Sequence, residues 1–369
     1  MTDSASPKLK VIHYVWINNS HVVALVSSLQ SLGINASKSS PKVSKLIFQI
    51  LLGPIMPIWY RLHGIQIIHL HWVAGQFKPM RFRSRFVNQF FYLWYLLFLK
   101  VCRTINLKVV WTAHNFLPHE PVFNNDLMAR KHLVENSDTV IALNEEILES
   151  IKSNFRPRNI KLIWAAEPKI SLELNRESNH TSHKSGNHQL NFSAIGHVRP
   201  YKGPDIFLRA INGLQSSSRF SVAGATNDAI YESEISELAK LAIASGIDLE
   251  VNLKFLSDSE LSDHFMKADF LVCPFRQISN SGIINLAMDN GIPLILPDLP
   301  SLGWVPRAAA LWFDGESAET GLRQSILTAE TLSIDARNAM SEAGREFMKP
   351  RGWDNYVAEH IKVYRNLVD

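Results

Sequence analysis

The residues best placed to do chemistry are Arg199 and Lys202, within Gly196-His-Val-Arg-Pro-Tyr-Lys-Gly203. An apolar run, Leu190 to Ile195, precedes them, and a helical run, Pro204 to Ile211, follows. Strand, glycine turn and helix in that order place two fixed cations at a strand's C-terminal end, where they suit a diphosphate. Further on, Pro274-Phe-Arg-Gln-Ile-Ser-Asn-Ser-Gly282 leads into another apolar helix. A helix N-terminus opened by a Ser-Gly step is a second anion site. By spacing alone, a solvated turn explains Arg199 and Lys202 equally well. The second loop in the same half of the chain favours a nucleotide-sugar diphosphate held between the two.

Polar groups recur at other strand ends. His69 and His71 close the apolar run 66–72, and His114-Asn-Phe-Leu-Pro-His-Glu120 packs polar groups around a proline turn after the run 107–113. Asn18, Asn19 and Ser20 make a turn and helix cap after the run 10–16, while Asn144 and His197 sit at two further ends. A lone strand-end histidine is more often structural than catalytic, and His119 and Glu120 could simply satisfy the turn's backbone.

These groups need a scaffold. At 369 residues and 46% apolar, the chain is long enough for two domains with their own cores. The first half alternates strands at 10–16, 66–72, 107–113 and 139–143 with helices at 22–32, 82–103, 126–137 and 145–153. The second half repeats the alternation, with strands near 190–195, 219–223, 250–255, 269–273, 292–296 and 310–313, and terminal helices at 335–348 and 355–367. Short apolar strands alternating with helices predict parallel, doubly wound α/β sheets. The polar stretch 175–188 reads as a linker.

Net charge is +4, too weak to imply nucleic acid. Cys102 and Cys273 stand far apart in apolar surroundings and read as buried thiols of a reducing compartment. The first ten residues lack the apolar core of a secretory signal, and the run Phe90 to Leu99 is shorter than the roughly 20 residues a bilayer span needs. The expected location is cytoplasmic. Lys78, Arg81, Arg83 and Arg85 precede a helix on which positions 91, 94, 95 and 98 share one aromatic face. That face either packs on the first sheet or rests on an anionic membrane surface, giving peripheral attachment to the inner face of the cytoplasmic membrane.

On these motifs the chain resembles bacterial glycosyltransferases of the GT-B fold. It is similar to the glycogen-synthase-like and phosphatidylinositol-mannosyltransferase-like family, in its exopolysaccharide-assembly branch. Trp111 to Glu120, Gly196 to Gly203, and Pro274 to Gly282 with Leu286, Ala287 and Gly291 to Pro293 carry the resemblance. It implies two Rossmann-like domains facing a cleft, an acceptor domain over 1–175 and a nucleotide-sugar domain over 185–350. It also implies a terminal helix, 351–369, crossing back to the first domain.

The activity implied is metal-independent hexosyl transfer from a nucleotide-diphosphate sugar to a saccharide or lipid-linked acceptor, without a cofactor. The chain has no Asp-x-Asp motif of the metal-dependent kind. By the same resemblance, Arg199, Lys202, Ser279, Asn280, Ser281 and Gly282 hold the donor, and Asn19, His71 and Asn115 face the acceptor. His114 lies near the transferred sugar, and Glu120 is the base if the reaction inverts. Two departures stand out. Ile278 and Leu286 occupy positions where the family has glutamates, and Trp164-Ala165 stands where many relatives have His-Gly. The alternatives are a sugar-nucleotide 2-epimerase of the same fold, or a non-catalytic partner subunit that kept the fold.

Overall fold

The computed structural model describes residues 9–15, 19–39, 52–72, 84–118, 122–166, 189–278 and 281–368. The chain divides into two compact units, residues 1–168 with 353–369, and residues 169–352.

The first unit is built on a parallel sheet of six strands: β1 (Lys10–Tyr14), β2 (Asn35–Ser39), β3 (Ile67–Leu70), β4 (Lys108–Ala113), β5 (Thr139–Ala142) and β6 (Ile160–Leu162). Their order is β2-β1-β3-β4-β5-β6, so the winding reverses between β1 and β3. β3 and β5 are buried along their whole length, as a sheet covered on both faces requires. The helices are α1 (Ser20–Ser31), α2 (Met56–Leu62), α3 (Arg85–Thr104), α4 (Asp126–Asn136), α5 (Glu145–Asn154) and the terminal α12 (Trp353–Val368). Asn19, Asn125 and Asn144 cap α1, α4 and α5 by accepting from the amides of Val22, Met128 and Ile147.

Side-chain alternation gives the sheet two distinct faces. Val109, Trp111 and Ala113 join Tyr95, Phe98 and Leu133 in a core on one side. Val11, Ile67 and Val110 join Leu25, Tyr356 and Tyr364 on the other, so that α1 and α12 cover that face. His13 and His69 are register partners across β1 and β3, which turns both toward the α1 and α12 side.

The second unit repeats the plan with β7 (Asn191–Ile195), β8 (Arg219–Ala223), β9 (Asp248–Asn252), β10 (Phe270–Val272), β11 (Leu294–Pro297) and β12 (Ala310–Phe313). Its order is β12-β11-β10-β7-β8-β9, and the winding reverses between β7 and β10. The helices are α6 (Pro204–Ile211), α7 (Ala229–Ala244), α8 (Asp258–Lys267), α9 (Gly282–Asp289), α10 (Ala318–Thr331) and α11 (Ile334–Met348). Ser257 and Glu260 form a reciprocal capping box on α8.

Three elements lie outside the sequence expectations: β2, β6 and α2 with the short turn before it. β2 reads Asn-Ala-Ser-Lys-Ser, with no apolar alternation, because it is an edge strand. The helix at 85–104 needs a correction. Phe91, Tyr95 and Phe98 are buried in the core, so this aromatic face packs on the sheet and cannot be the membrane-facing one. The stretch 175–188, expected as a linker, lies outside the described residues, as do Lys78, Arg81 and Arg83.

Candidate functional site

Ligands of open α/β sheets bind beyond the strand C-termini where the winding reverses. In the second unit that point lies between β7 and β10, and the turns following these two strands are Gly196 to Gly203 and Cys273 to Ser281. The turns interlock. Gly203 has φ +69°, and a Cβ there would stand 2.0 Å from the Pro274 carbonyl oxygen. Gly224, after β8, has φ +144°, and a Cβ would meet the Gly196 oxygen at 1.8 Å. Both positions therefore demand glycine, for reach as much as for φ.

Lys202 is half-buried in this turn. Its Nζ lies 5.9 Å from the Phe275 ring centroid and has no hydrogen-bond or ion-pair partner among the described residues. Burial lowers its pKa. Arg199 stands half-buried three residues earlier, and the exposed His197 is held below its ordinary pKa by partial burial and then by the charges of Lys202 and Arg199. The turn is thus electropositive, and no ion pair offsets it among the described residues. Ser281, buried, is the N-cap of α9, and Gly282 begins that helix, whose first turn carries no acidic residue. The unmet amides of a helix start add positive potential. Ser279 and Asn280 lie outside the described residues.

One member of the loop has a different role from its neighbours. The Arg276 guanidinium donates to both Asp205 oxygens, at 2.8 and 2.5 Å, and to the Pro200 carbonyl. Its amide donates to the Tyr201 carbonyl at 2.8 Å, and the Tyr231 hydroxyl donates to Asp205 at 2.6 Å. Burial pushes the Asp205 carboxyl up, but the bonds from Arg276 and Tyr231 outweigh it and hold the group below its usual value. Arg276 is therefore a clamp between the two turns. The sequence shows a cation here but not that Asp205, on α6 after the first glycine turn, faces it. Arg276→Ala is expected to cost about 2 kcal/mol, less than the ~3–5 kcal/mol of a fully buried pair because the arginine side chain is 45% exposed. Urea melts compared with Asp205→Asn check this, and a loss below about 0.5 kcal/mol removes the clamp from the account.

A cavity of about 610 Å³ opens at the other end of these strands, lined by Asn191, Arg219, Asp248 and Asp269. It is separate from the glycine turns. Ile278 and Leu286 are buried in the apolar core of the second unit, so no carboxylate occupies those positions. Trp164 is half-buried after β6, and Ala165 is tied to the sheet through the Leu143 carbonyl.

In the first unit the winding reverses between β1 and β3, and a histidine cluster gathers there. His13 Nδ1 and His71 Nε2 are 3.0 Å apart, and His71 Nδ1 and His114 Nε2 are 3.4 Å apart. His69 is bonded through Nδ1 to the Tyr364 hydroxyl at 2.6 Å and through Nε2 to Thr112 Oγ1 at 2.8 Å. His69 and His71 stack at 4.3 Å, and Trp72 stacks on His114 at 4.1 Å. His13, His69, His71 and His360 are fully or almost fully buried, while His114 is half-buried.

Burial drives every one of these rings toward neutrality. His13 and His114 are lowered to about 3 and His360 to about 4. His69 and His71 are also held well below the ordinary value, first by burial and then by the potential charge of neighbouring rings, His13 foremost for His69 and His69 foremost for His71. Ring nitrogens of His13, His69 and His71 lie within 4.8 Å of one another. They do not suit a metal ion: both nitrogens of His69 and of His71 are already bonded, and no carboxylate or thiolate joins them among the described residues.

His71, expected to face an acceptor, thus has no nitrogen left over. Asn19 is half-buried and spends its side-chain oxygen on the α1 cap. Asn115 follows His114 at the end of β4 and is half-buried, whereas Glu120 lies outside the described residues. His13, His21 and His360, which complete the cluster, have no signal in the sequence; the register of β1 with β3 brings His13 beside His69.

No protein-family model matches the chain. A curated relative, GDP-mannose:glycolipid 4-beta-D-mannosyltransferase of Xanthomonas campestris pv. campestris, is 23% identical over 172 residues, covering 46% of this chain and 47% of that protein. The chain spans about half the length of the curated relatives it matches. Among solved structures, sucrose-phosphate synthase from Thermosynechococcus elongatus superposes with a TM-score of 0.75 at 13% identity, covering 98% of this chain and 99% of that one. A glycosyltransferase from Rickettsia africae gives 0.74 at 13%, covering 99% and 100%. Anabaena HepE in complex with UDP and glucose gives 0.68 at 12%, covering 97% and 100%. At these identities the likeness establishes the fold: two Rossmann-like α/β units of the GT-B class.

Proposed function

We propose that the protein transfers a hexose from a nucleotide-diphosphate sugar to a saccharide acceptor carried on a lipid. The observation that carries this reading is Lys202, a half-buried cation without a partner among the described residues, on a glycine turn at the switch point of the second sheet. The relative's name supplies the donor and acceptor classes, and HepE has been seen with UDP. Arg199, Lys202 and the amides at the start of α9, with Ser279 and Asn280 before it, neutralise the charge that grows on the departing diphosphate. His114 and Asn115 serve the acceptor half, and Glu120 takes the proton if the reaction inverts. The transfer needs neither metal nor cofactor.

Lys202→Ala and Arg199→Ala are each expected to weaken GDP or UDP binding by about 10- to 100-fold, the equivalent of one charge-assisted bond worth ~1.5–3 kcal/mol. Calorimetry with both nucleotides reads the effect, and unchanged affinity in both variants removes the diphosphate assignment.

A second reading is a partner subunit without activity, favoured by Ile278 and Leu286 filling the glutamate positions with apolar core. Release of nucleotide from GDP-mannose or UDP-glucose separates the two readings, since only the enzyme turns donor over.

We further propose that the first unit attaches reversibly to an anionic membrane surface on the cytoplasmic side, which brings a lipid-linked acceptor within reach. No helix of the described residues is long and apolar enough to cross a membrane.

A further inference from the structure

We propose that His114 acts as a neutral hydrogen-bond donor, its tautomer fixed by a buried imidazole chain in which His71 and His13 are positioning residues. This rests on His114 facing the sugar or acceptor, and adds which proton it carries and why.

Each neutral imidazole has one N–H and one lone pair. Three rings joined nitrogen to nitrogen therefore have two consistent proton patterns. In the inward pattern His114 Nε2–H donates to His71 Nδ1, His71 Nε2–H donates to His13 Nδ1, and a proton is left on His13 Nε2. In the outward pattern His13 Nδ1–H donates to His71 Nε2, His71 Nδ1–H donates to His114 Nε2, and His114 keeps its proton on Nδ1.

His13 Nε2 chooses between them. It is buried and has no hydrogen-bond partner among the described residues. A buried N–H with nothing to donate to is rarer than an unmet acceptor. The outward pattern leaves only a bare lone pair at that atom, and so wins. His114 then presents Nδ1–H, with its ring plane set by the Trp72 stack at 4.1 Å.

The surroundings keep the chain neutral. The groups facing it are His69 on β3, Thr112 on β4, His21 on α1, and Tyr356, His360 and Tyr364 on α12. None is a carboxylate, so nothing among the described residues there offsets an imidazolium. His69 stands aside from the chain because both its nitrogens are spent on hydroxyls. A neutral N–H donor suits a sugar oxygen, as neutral imidazoles do in other active sites. With Nε2 already accepting from His71, it cannot be the base.

The test is two-bond 1H–15N correlation spectroscopy of the full chain with 15N-labelled histidine, from pH 6 to 8, which reads charge and tautomer ring by ring. The expected wild-type result is a neutral His114 protonated on Nδ1. In His13→Leu and His71→Gln the proton moves partly or wholly to Nε2, whereas His71→Asn, which keeps a polar atom near the Nδ1 position, holds it on Nδ1. A wild-type His114 protonated on Nε2 overturns the proposal, as does a tautomer unmoved in both disruptive variants or one zinc ion retained per chain after purification with zinc chloride. The wild-type spectrum decides even if a variant fails to fold.

Nucleotide release from GDP-mannose or UDP-glucose supplies the second readout. His71→Gln should lower kcat about 10- to 100-fold with KM within about twofold, and His71→Asn should recover most of the loss. Equal losses in the two variants mark a merely structural role. Because the spectra use no donor, their failure is separable from failure of the glycosyl-transfer reading.

Discussion

Lowering the pH from 7 to 5 is expected to destabilise the first unit steeply and the second far less. The cause is the neutral histidine cluster. His13 and His114 are held at about 3 and His360 at about 4, against an ordinary value near 6.5. Below pH 6.5 the unfolded chain binds protons that the native cluster refuses. The cluster's contribution to stability is therefore complete above 6.5 and is lost as pH falls toward 4. Each such ring costs about 1.4 kcal/mol per pH unit in this window, so three cost about 4 kcal/mol per unit. By pH 5 the loss is about 6 kcal/mol, a large part of a typical reserve of ~5–15 kcal/mol. His69 and His71 steepen the slope.

In the second unit the described ring with a lowered pKa is His197, which is exposed and so adds little. Most tryptophans, Trp72, Trp111 and Trp353 among them, lie in the first unit, so their fluorescence follows it. The urea midpoint of that signal should fall steeply between pH 7 and 5, and less steeply in His360→Gln. A midpoint that stays level over this range is incompatible with a neutral buried cluster.

The cluster also shows where sequence reading stops. The strands around the chemistry are legible because β4 and β7 are short apolar runs ending in polar residues, and because Gly196 and Gly203 mark a turn. Strand-end position brings His69, His71 and His114 to notice. It does not say that His13 pairs in register with His69, nor that Tyr364, 295 residues along, bonds to His69. Those are tertiary facts with no local pattern. The same limit applies to Arg276, whose partner Asp205 is 71 residues away. β2 is invisible for another reason, since an edge strand of polar residues has no periodicity to read.

The aromatic helix gives the other large expected effect, on a face different from the one its spacing first suggests. With Phe91, Tyr95 and Phe98 in the core, the outward stripe of α3 is Phe86, Phe90, Leu93 and Leu97, from 40% to 89% exposed. Ile58, Trp59 and Leu62 of the neighbouring α2 are exposed too, from 41% to 80%. Neither helix contains an acidic residue, and Arg61, Arg85, Lys100 and Arg103 lie on them. The charge bias is wider still: between Asp3 and Glu120 the sequence has thirteen Lys and Arg and no Asp or Glu, although the whole chain is only +4.

Apolar side chains on a basic ground suit an anionic lipid surface. Each basic residue near it contributes about 1 kcal/mol, and burying an exposed phenylalanine contributes ~1.5–3 kcal/mol. The protein should therefore co-sediment with vesicles containing phosphatidylglycerol at 0.1 M salt and stay free of neutral phosphatidylcholine vesicles. Binding should weaken at 1 M salt, where the Debye length falls from about 10 to about 3 Å. Phe86→Ser combined with Phe90→Ser should lower binding at least tenfold at either salt while leaving the urea midpoint within about 0.5 kcal/mol of wild type, since both rings are exposed. If the wild-type protein stays in the supernatant with phosphatidylglycerol vesicles at low salt, the exposed stripe serves something other than a membrane, and the acceptor must reach the protein from solution.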